Sequence, residues 1–210
     1  MEPTDHNRRA WDELHRRRGE MRRPGGGLPA IVRQTLGDLS EKRVLHLQSS
    51  TGEASAELAE LGAVVTAIDF SEEALETARE AWPKILWIQG DAQSLPGELR
   101  RGRFDLVYSP EGVLAALDDL DAWARGIVDA LQPLGELLMF EEHPVGACVD
   151  GMLRWHVDYF GDAVERPWRL GQVVTALARA GLEVQALEEY PGDSTRRRVP
   201  STFLLYARLR

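Results

Sequence analysis

The stretch RVLHLQSSTGEAS, residues 43–55, joins an apolar run to the start of a helical pattern. Val44, Leu45 and Leu47 are typical of a buried strand, and a short turn separates them from the helix. In an α/β protein, the loop between such a strand and its helix is where nucleotides usually bind. This loop contains a single glycine, Gly52. It therefore predicts either an altered phosphate loop or a site for a nucleotide-like ligand that carries no phosphate.

Apolar runs alternate with helical patterns along the rest of the chain. The apolar runs lie at 43–47, 63–68, 85–88, 104–108, 135–141, 182–189 and 202–209. The helical patterns lie at 31–39, 53–61, 71–82, 118–131 and 169–180. Such alternation favours crossover units and a mainly parallel sheet. The last two runs are joined by PGDSTRRRVPS without a helix, so we expect an antiparallel last strand.

Composition and charge exclude several classes of partner. The formal net charge is −9, whereas binding to nucleic acid needs a basic surface. Cys148 is the one cysteine, so an internal disulfide is impossible, and without a Cys/His cluster we predict no metal. No apolar run approaches the ~20 residues of a membrane span, and the N-terminus lacks an apolar signal core. We therefore expect a cytoplasmic protein with neither a nucleic-acid nor a membrane partner.

The first loop is poorly suited to a diphosphate. A dinucleotide loop needs glycines at fixed spacing for close backbone approach, and here those positions hold Gln48 and Ser50. Glu53 lies at the start of the helix, where its carboxylate repels a bound anion. Both observations disfavour an NAD-linked oxidoreductase. S-adenosylmethionine (SAM) has no phosphate, and its amino-acid end is a zwitterion. The loop hydroxyls that suit it belong to Ser49, Ser50, Thr51 and Ser55.

With these residues the sequence resembles the class I SAM-dependent methyltransferases. The positions that match the family's first motif are Val44, Leu45, Leu47, Thr51 and Gly52. His46 stands where an acidic residue is common, and Gln48 and Ser50 replace glycines. A subgroup of small bacterial methyltransferases with an LHLQ version of this loop is similar, although Ala54 replaces its usual Asp. We interpret His46 as a packed, hydrogen-bonded residue in preference to a catalytic one.

The resemblance covers about residues 40–210 and implies a fold. It predicts a Rossmann-like class I methyltransferase fold, with a mainly parallel seven-stranded sheet, an antiparallel last strand and helices on both faces. We expect one domain over 1–210. Its parts are an N-terminal helical lid (1–40), a SAM-binding core (41–145), a substrate-capping insertion (146–168), and a closing helix and hairpin (169–210).

Two later motifs complete the expected cofactor site. Asp69 follows the second strand, where an acidic side chain can accept both ribose hydroxyls, and Phe70 is expected against the adenine. Asp91 is expected to accept from the adenine amino group, and the Ala92 N–H to donate to a ring nitrogen, as the resemblance also implies. The cofactor-binding set is therefore His46, Gln48, Ser49, Ser50, Thr51, Gly52, Ser55, Asp69, Phe70, Asp91, Ala92 and Ser109.

Methyl transfer from a sulfonium depends mainly on alignment, and it needs a base only if the acceptor must lose a proton. His143 is the first candidate for that base, with a turn residue that makes a structural hydrogen bond as the alternative. Glu142 is expected to orient His143 or to act in its place. Glu111, in the loop after the fourth strand, is expected to hold the substrate or the sulfonium, or else to face solvent. The predicted substrate-binding residues are Trp11, Trp155, His156 and Tyr159.

The sequence thus predicts an enzyme that methylates a small molecule and releases S-adenosylhomocysteine (SAH). It leaves open whether the acceptor atom is oxygen, nitrogen or carbon, and whether the chain is a monomer or a homodimer. The alternative is a SAM-binding protein without turnover, serving as a sensor or partner subunit.

Overall fold

The structure, a computed structural model, describes residues 26–150, 152–161, 168–192 and 198–210. Its helices are α1 Ala30–Leu36, α2 Glu53–Glu60, α3 Glu72–Ala81, α4 Leu120–Ala130 and α5 Leu170–Ala180. Its strands are β1 Arg43–His46, β2 Val64–Asp69, β3 Leu86–Gln89, β4 Phe104–Ser109, β5 Leu131–Glu142, β6 Leu182–Pro191 and β7 Pro200–Leu209. Two single 3₁₀ turns, Leu114–Ala116 and Gly146–Cys148, follow β4 and β5. The predicted N-terminal helix, with Trp11, lies outside the described residues.

The seven strands form one sheet in the order β3-β2-β1-β4-β5-β7-β6. The pairs from β3 to β5 are parallel, and β7 pairs antiparallel with both β5 and β6. This arrangement confirms the predicted fold, including the antiparallel last strand. The chain order reverses between β1 and β4, so the segments that follow these two strands lead to helices on opposite faces of the sheet. In open α/β sheets, that point of reversal is where ligands bind.

Both faces of the sheet are covered, which explains why the strands are apolar on successive residues. Leu45, Val107 and Leu137 face the layer of α4 and α5, where Trp123 is fully buried. On the other face, Val44, Leu106 and Leu138 belong to a second buried cluster, which packs beneath α1, α2 and α3. The helical members of that cluster are Val32, Leu58, Leu75 and Ala78.

The fifth strand begins earlier than the apolar run 135–141 indicated. The Pro-Leu-Gly sequence at 133–135 precedes that run, yet β5 already begins at Leu131, which pairs with Phe104. The register then shifts between Phe104 and Leu106, and Leu134 has φ +64° and is exposed. The proline and glycine are therefore accommodated as an irregularity within the strand, where Pro133 needs no ladder donor.

Candidate functional site

The loops after β1, β2 and β3 are tied together at the carboxyl edge of the sheet. The Ser49 N–H donates to the Ile68 carbonyl at 3.0 Å, and the Leu47 N–H donates to the Tyr108 carbonyl at 2.9 Å. The Gly90 N–H donates to the Asp69 carbonyl at 2.9 Å. The three sequence motifs therefore lie side by side at the edge where the strand order reverses.

The first loop keeps a glycine-like backbone without the usual glycines. Gln48 has φ +45° and Ser50 has φ +52°, while Gly52 has φ +94°. A non-glycine residue in this left-handed region costs on the order of 1 kcal/mol or more. Gln48 and Ser50 thus occupy the two positions where the family pattern has glycine, and they adopt the conformation that glycine would favour. The loop therefore has a backbone that glycines would favour, with a glutamine and a serine at these two positions.

Asp69 holds this loop against the start of α3. Its Oδ2 accepts from the Ser50 N–H at 2.8 Å, and its Oδ1 accepts from the Ser71 N–H at 2.9 Å. The side chain is buried. Ser71 in turn caps α3, because its Oγ accepts from the Ala74 N–H at 3.3 Å. The carboxylate therefore has a fixed position at the end of β2. Its ribose role stays a prediction.

Buried polar atoms gather at this edge of the sheet. They are His46 Nε2, Gln48 Oε1, Ser49 Oγ and Ser109 Oγ, and none has a hydrogen-bond partner among the residues that the structure describes. Leaving such an atom unsatisfied costs about 1–3 kcal/mol, and most buried polar atoms in proteins are paired. These atoms, which flank the β1 and β4 ends, fit a ligand with several hydrogen-bonding groups.

His46 is held as a neutral side chain at the end of β1. Its Nδ1 lies 2.6 Å from Ser55 Oγ on α2, and its ring centroid lies 5.1 Å from that of Tyr108. Burial lowers the pKa of His46 to about 3. At neutral pH the imidazole therefore carries no charge, in contrast to the acidic residue that is common here in the family pattern.

Carboxylates give the site a negative potential. Burial raises the pKa of Tyr108, and Glu111, Glu141 and Glu57 raise it further. At the start of α2, Thr51 Oγ1 donates to Glu53 Oε2 at 2.7 Å, beside Gly52 as the N-cap. Such a field attracts a cation such as a sulfonium and repels a diphosphate.

Hydrogen bonds hold the loop after β3 in place. Asp91 Oδ1 accepts from the Gln93 N–H at 2.8 Å, and Ala92 is buried. Gln93 Oε1 accepts from the Asp118 and Asp119 N–H groups, each at 2.6 Å. The loop is thereby fixed to the start of α4. Phe70 is half-buried one loop away. The adenine roles of Asp91, Ala92 and Phe70 stay predictions.

Glu141 is a buried acid that the sequence reasoning missed. It lies near the carboxyl end of β5 and is 2% exposed. Its Oε1 accepts from the Gly112 and Glu142 N–H groups, each at 2.7 Å, and its Oε2 accepts from the Leu114 N–H at 3.0 Å. Burial raises the pKa of Glu141 to about 7 against these hydrogen bonds. Strand alternation was the available signal, since 137, 139 and 141 share one buried face.

His143 lies against β6 and not beside Glu142. Its Nε2 is 2.8 Å from Glu189 Oε1, although the pair is misaligned for a hydrogen bond, and its Nδ1 accepts from the Val145 N–H at 3.2 Å. Burial lowers the pKa of His143, and Glu189 opposes that shift. Glu142 is exposed, and successive strand residues point to opposite faces. The carboxylate beside the His143 ring belongs to Glu189, and a role for Glu142 stays a prediction.

The predicted substrate-binding residues do not all line one cavity. Tyr159 lines a cavity of about 680 Å³ between the start of α4 and α5, with Phe160 and Trp168. Trp155 is 62% exposed, and neither it nor His156 is among the lining residues. The His156 N–H donates instead to the Cys148 carbonyl at 3.0 Å. Glu111 is exposed in the loop after β4, and Trp11 lies outside the described residues.

Replacing Gln48 with glycine is expected to stabilise the unliganded protein by about 1 kcal/mol. The change relieves a positive φ and removes a buried amide oxygen without a described partner, and the greater flexibility of the unfolded chain offsets part of the gain. If the amide contacts the cofactor, SAH affinity falls at the same time. Urea unfolding and calorimetry measure the two effects.

Leu134→Gly is the matched control for this substitution. It relieves a similar φ of +64° in the exposed irregularity of β5, so it should stabilise without altering SAH affinity. A Gln48→Gly variant that is less stable than the parent would contradict the inference that the backbone of the first loop is strained at Gln48.

Comparison with known proteins gives a consistent result. A family model described as a methyltransferase domain matches residues 44–135. YqeM of Bacillus subtilis, provisionally described as a methyltransferase, is 36% identical over 112 residues, which are 50% of this chain and 44% of YqeM. Demethylmenaquinone methyltransferase of Renibacterium salmoninarum is 31% identical over 115 residues, 54% of this chain and 47% of that enzyme. The chain thus spans about half the length of the curated relatives that it matches.

A solved structure covers more of the chain. The S-adenosylmethionine-dependent methyltransferase from Mesorhizobium loti superposes with a TM-score of 0.71 and 25% identity, covering 84% of this chain and 94% of that one. Within the described ranges, no helix is long and apolar enough to cross a membrane. The same part of the chain contains no group of three or more His, Cys, Asp or Glu residues that could hold a metal ion.

Proposed function

We propose, since the chain belongs to the class I SAM-dependent methyltransferases, that it transfers the methyl group of SAM to a small-molecule acceptor and releases SAH. The observation that carries the proposal is the first loop. Its left-handed backbone, its tie to Asp69 and its buried polar atoms, which have no hydrogen-bond partner in the described part of the chain, together support a site for a polar, phosphate-free nucleoside. The acceptor atom is an oxygen, nitrogen or carbon. The chain acts as a monomer or homodimer, and its single cysteine suits the reducing cytoplasm.

Residues of three loops would bind different parts of the cofactor. Asp69 would accept the ribose hydroxyls, while Asp91 and the Ala92 N–H would hold the adenine. Ser49 and Gln48, at the start of the first loop, would bond the methionine end. The negative potential around Glu111 and Glu141 favours the sulfonium over an anionic ligand.

SAM supplies an already activated methyl group, so the protein's main task is alignment. Holding donor and acceptor in line can contribute roughly 7–11 kcal/mol of the barrier reduction. The loop after β4 leaves the sheet beside the first loop, and we place the acceptor against it. His143, Glu142 and Glu111 remain predicted catalytic residues. His143 contacts Glu189 on β6. It would therefore act as a base only after its imidazole leaves that contact.

Calorimetry with SAM, SAH and NAD tests the proposal. We expect SAH and SAM to bind with one site per chain, and NAD to give no heat of binding. Mass detection of products with candidate acceptors then tests turnover. Binding without any methylated product would favour the sensor or partner-subunit alternative. If neither adenosyl compound binds folded protein at roughly millimolar concentration, the affinity is too weak for a working cofactor site and the proposal is wrong.

A further inference from the structure

We propose that Glu141 is a positioning residue: its carboxylate fastens Gly112–Leu114, the loop that follows β4, to the end of β5 and so shapes the wall on which the acceptor binds. The statement about the acceptor wall rests on the proposed function. The fastening itself stands on the hydrogen bonds of the described residues, and it can be tested without any cofactor.

The geometry of the fastening is specific to a carboxylate. Both oxygens of Glu141 accept from the loop, Oε1 from the Gly112 N–H at 2.7 Å and Oε2 from the Leu114 N–H at 3.0 Å. Oε1 also accepts from the Glu142 N–H at 2.7 Å. A carboxylate accepts at both oxygens, whereas a glutamine presents N–H donors at one of them and would oppose a backbone donor. One side chain thus replaces the backbone pairing that is lost where β4 and β5 end.

The loop needs this support because it departs sharply from the strand. Gly112 has φ +91°, and a 3₁₀ turn, Leu114–Ala116, follows at once. Val113 and Leu114 are buried with the α4 layer. The loop is therefore packed on one side by apolar contacts and held on the other by the Glu141 carboxylate, and the exposed Glu111 precedes it.

The surroundings of Glu141 make the fastening sensitive to pH. Burial is the main cause that raises the pKa of Glu141 to about 7, and Glu142 raises it further, while the three N–H donors lower it. On β4, Tyr108 and Ser109 lead into the loop, and the pKa of Tyr108 is itself raised, so its hydroxyl stays neutral. Other charged or titratable groups around this end of the sheet are Glu111 in the loop, His143 directly after β5, Glu189 on β6 and Glu57 on α2.

The sign of the pH effect follows from the donors. Above the pKa, the ionised carboxylate accepts from both loop amides. Below it, one oxygen carries a proton and becomes a donor, which faces a backbone N–H and loses that hydrogen bond. Protonation is also easier in the folded protein than in the unfolded chain, because the folded pKa is the higher one. The global stability contributed by this group therefore rises as pH falls from about 7 to about 4.5, while the loop itself loosens.

Amide hydrogen exchange of the whole chain, followed by NMR, tests the fastening. In the parent protein, the protection factors of Gly112 and Leu114 should fall about tenfold between about pH 8.5 and about pH 5.5, while those of strand amides such as Leu138 stay constant or rise with the global stability. In Glu141→Gln, both amides should be at least about tenfold less protected at the higher pH, with no step near neutrality. Glu136→Gln, on the same strand but paired with Arg208, should behave as the parent.

The outcomes separate this inference from the proposed function. A flat pH profile for Gly112 and Leu114 in the parent protein overturns the inference, and that measurement requires no variant to fold. Protection in Glu141→Gln equal to the parent's overturns it as well. SAH is titrated into the same samples. A pH-dependent loop in a protein that binds no SAH supports the fastening and refutes the proposed function alone.

Discussion

Asp69→Ala is expected to weaken SAH binding by about 100-fold or more. Two ribose hydroxyls that bond to one ionised carboxylate are each worth about 1.5–3 kcal/mol, and alanine removes both. The loss is larger than for a surface acid, because Asp69 is 4% exposed and water cannot easily replace it. Isothermal calorimetry at a temperature where the variant is folded measures the change.

The same substitution also destabilises the fold, because Asp69 accepts from the backbone of Ser50 and Ser71. We expect a cost of about 2–4 kcal/mol, because the buried N–H group of Ser71 and the partly buried one of Ser50 lose this acceptor. Asp69→Asn retains an acceptor for one of them. It should therefore recover part of the stability and less of the affinity, since its amide no longer offers two oxygens to the ribose.

Asp105→Ala separates affinity from stability. Asp105 also accepts from a backbone N–H, that of Arg43 at 2.8 Å, and from Gln132 Nε2 at 2.6 Å. It lies at the opposite end of the strands from the candidate site. We expect Asp105→Ala to lower the stability without changing SAH affinity. An equal loss of affinity in both alanine variants would show that the ribose assignment of Asp69 is wrong.

The sequence predicted the fold and the order of the motifs because both depend on local patterns. Continuous apolar runs mark strands covered on both faces, and the motif residues follow directly after them. In a parallel sheet, residues that follow neighbouring strands meet at one edge. Gly52, Asp69 and Asp91 therefore share an edge in the structure, as their places after β1, β2 and β3 indicated.

The surroundings of Glu141 and His143 could not be predicted in this way. The contact between His143 and Glu189 passes over β7, and it depends on the register of β5, β7 and β6. Strand pairing over such distances is set by the turns and bulges between the strands, which a single sequence does not specify. The irregularity at Leu134 is one of them.

The conformation of the first loop could not be predicted from its residue types either. Gln48 and Ser50 are unusual at positive φ, so a sequence alone favours another backbone for them. In the structure, the hydrogen bonds from Leu47, Ser49 and Ser50 to the neighbouring strand ends hold the loop in place. These bonds offset the local strain, so the loop can hold two non-glycine residues at positive φ.

Gly52 is the glycine that the loop cannot lose, and Gly52→Ala is expected to destabilise the protein by about 3–5 kcal/mol through overpacking added to backbone strain. Its φ is +94°, and a Cβ here would lie 2.5 Å from Trp87 Cη2 and 3.1 Å from Trp82 Cε3. Trp87 is 8% exposed, and its Nε1 donates to the Trp82 carbonyl at 3.1 Å. The Trp87 ring cannot withdraw without disturbing the core beneath α2 and α3, of which it is a buried member, and the half-buried Trp82 packs against that core.

Gly181→Ala isolates the steric part of this effect. Gly181 has nearly the same left-handed backbone, φ +106° and ψ +9° against φ +94° and ψ +1° at Gly52, but the nearest atom to its would-be Cβ is Leu209 Cδ1 at 4.0 Å. It should therefore cost only the backbone strain, about 1 kcal/mol. Urea unfolding of both variants gives the difference, which we expect to exceed about 2 kcal/mol. Equal costs would mean that the two tryptophans yield to the new methyl group, and that the loop tolerates alanine at Gly52 as it tolerates Gln48 and Ser50.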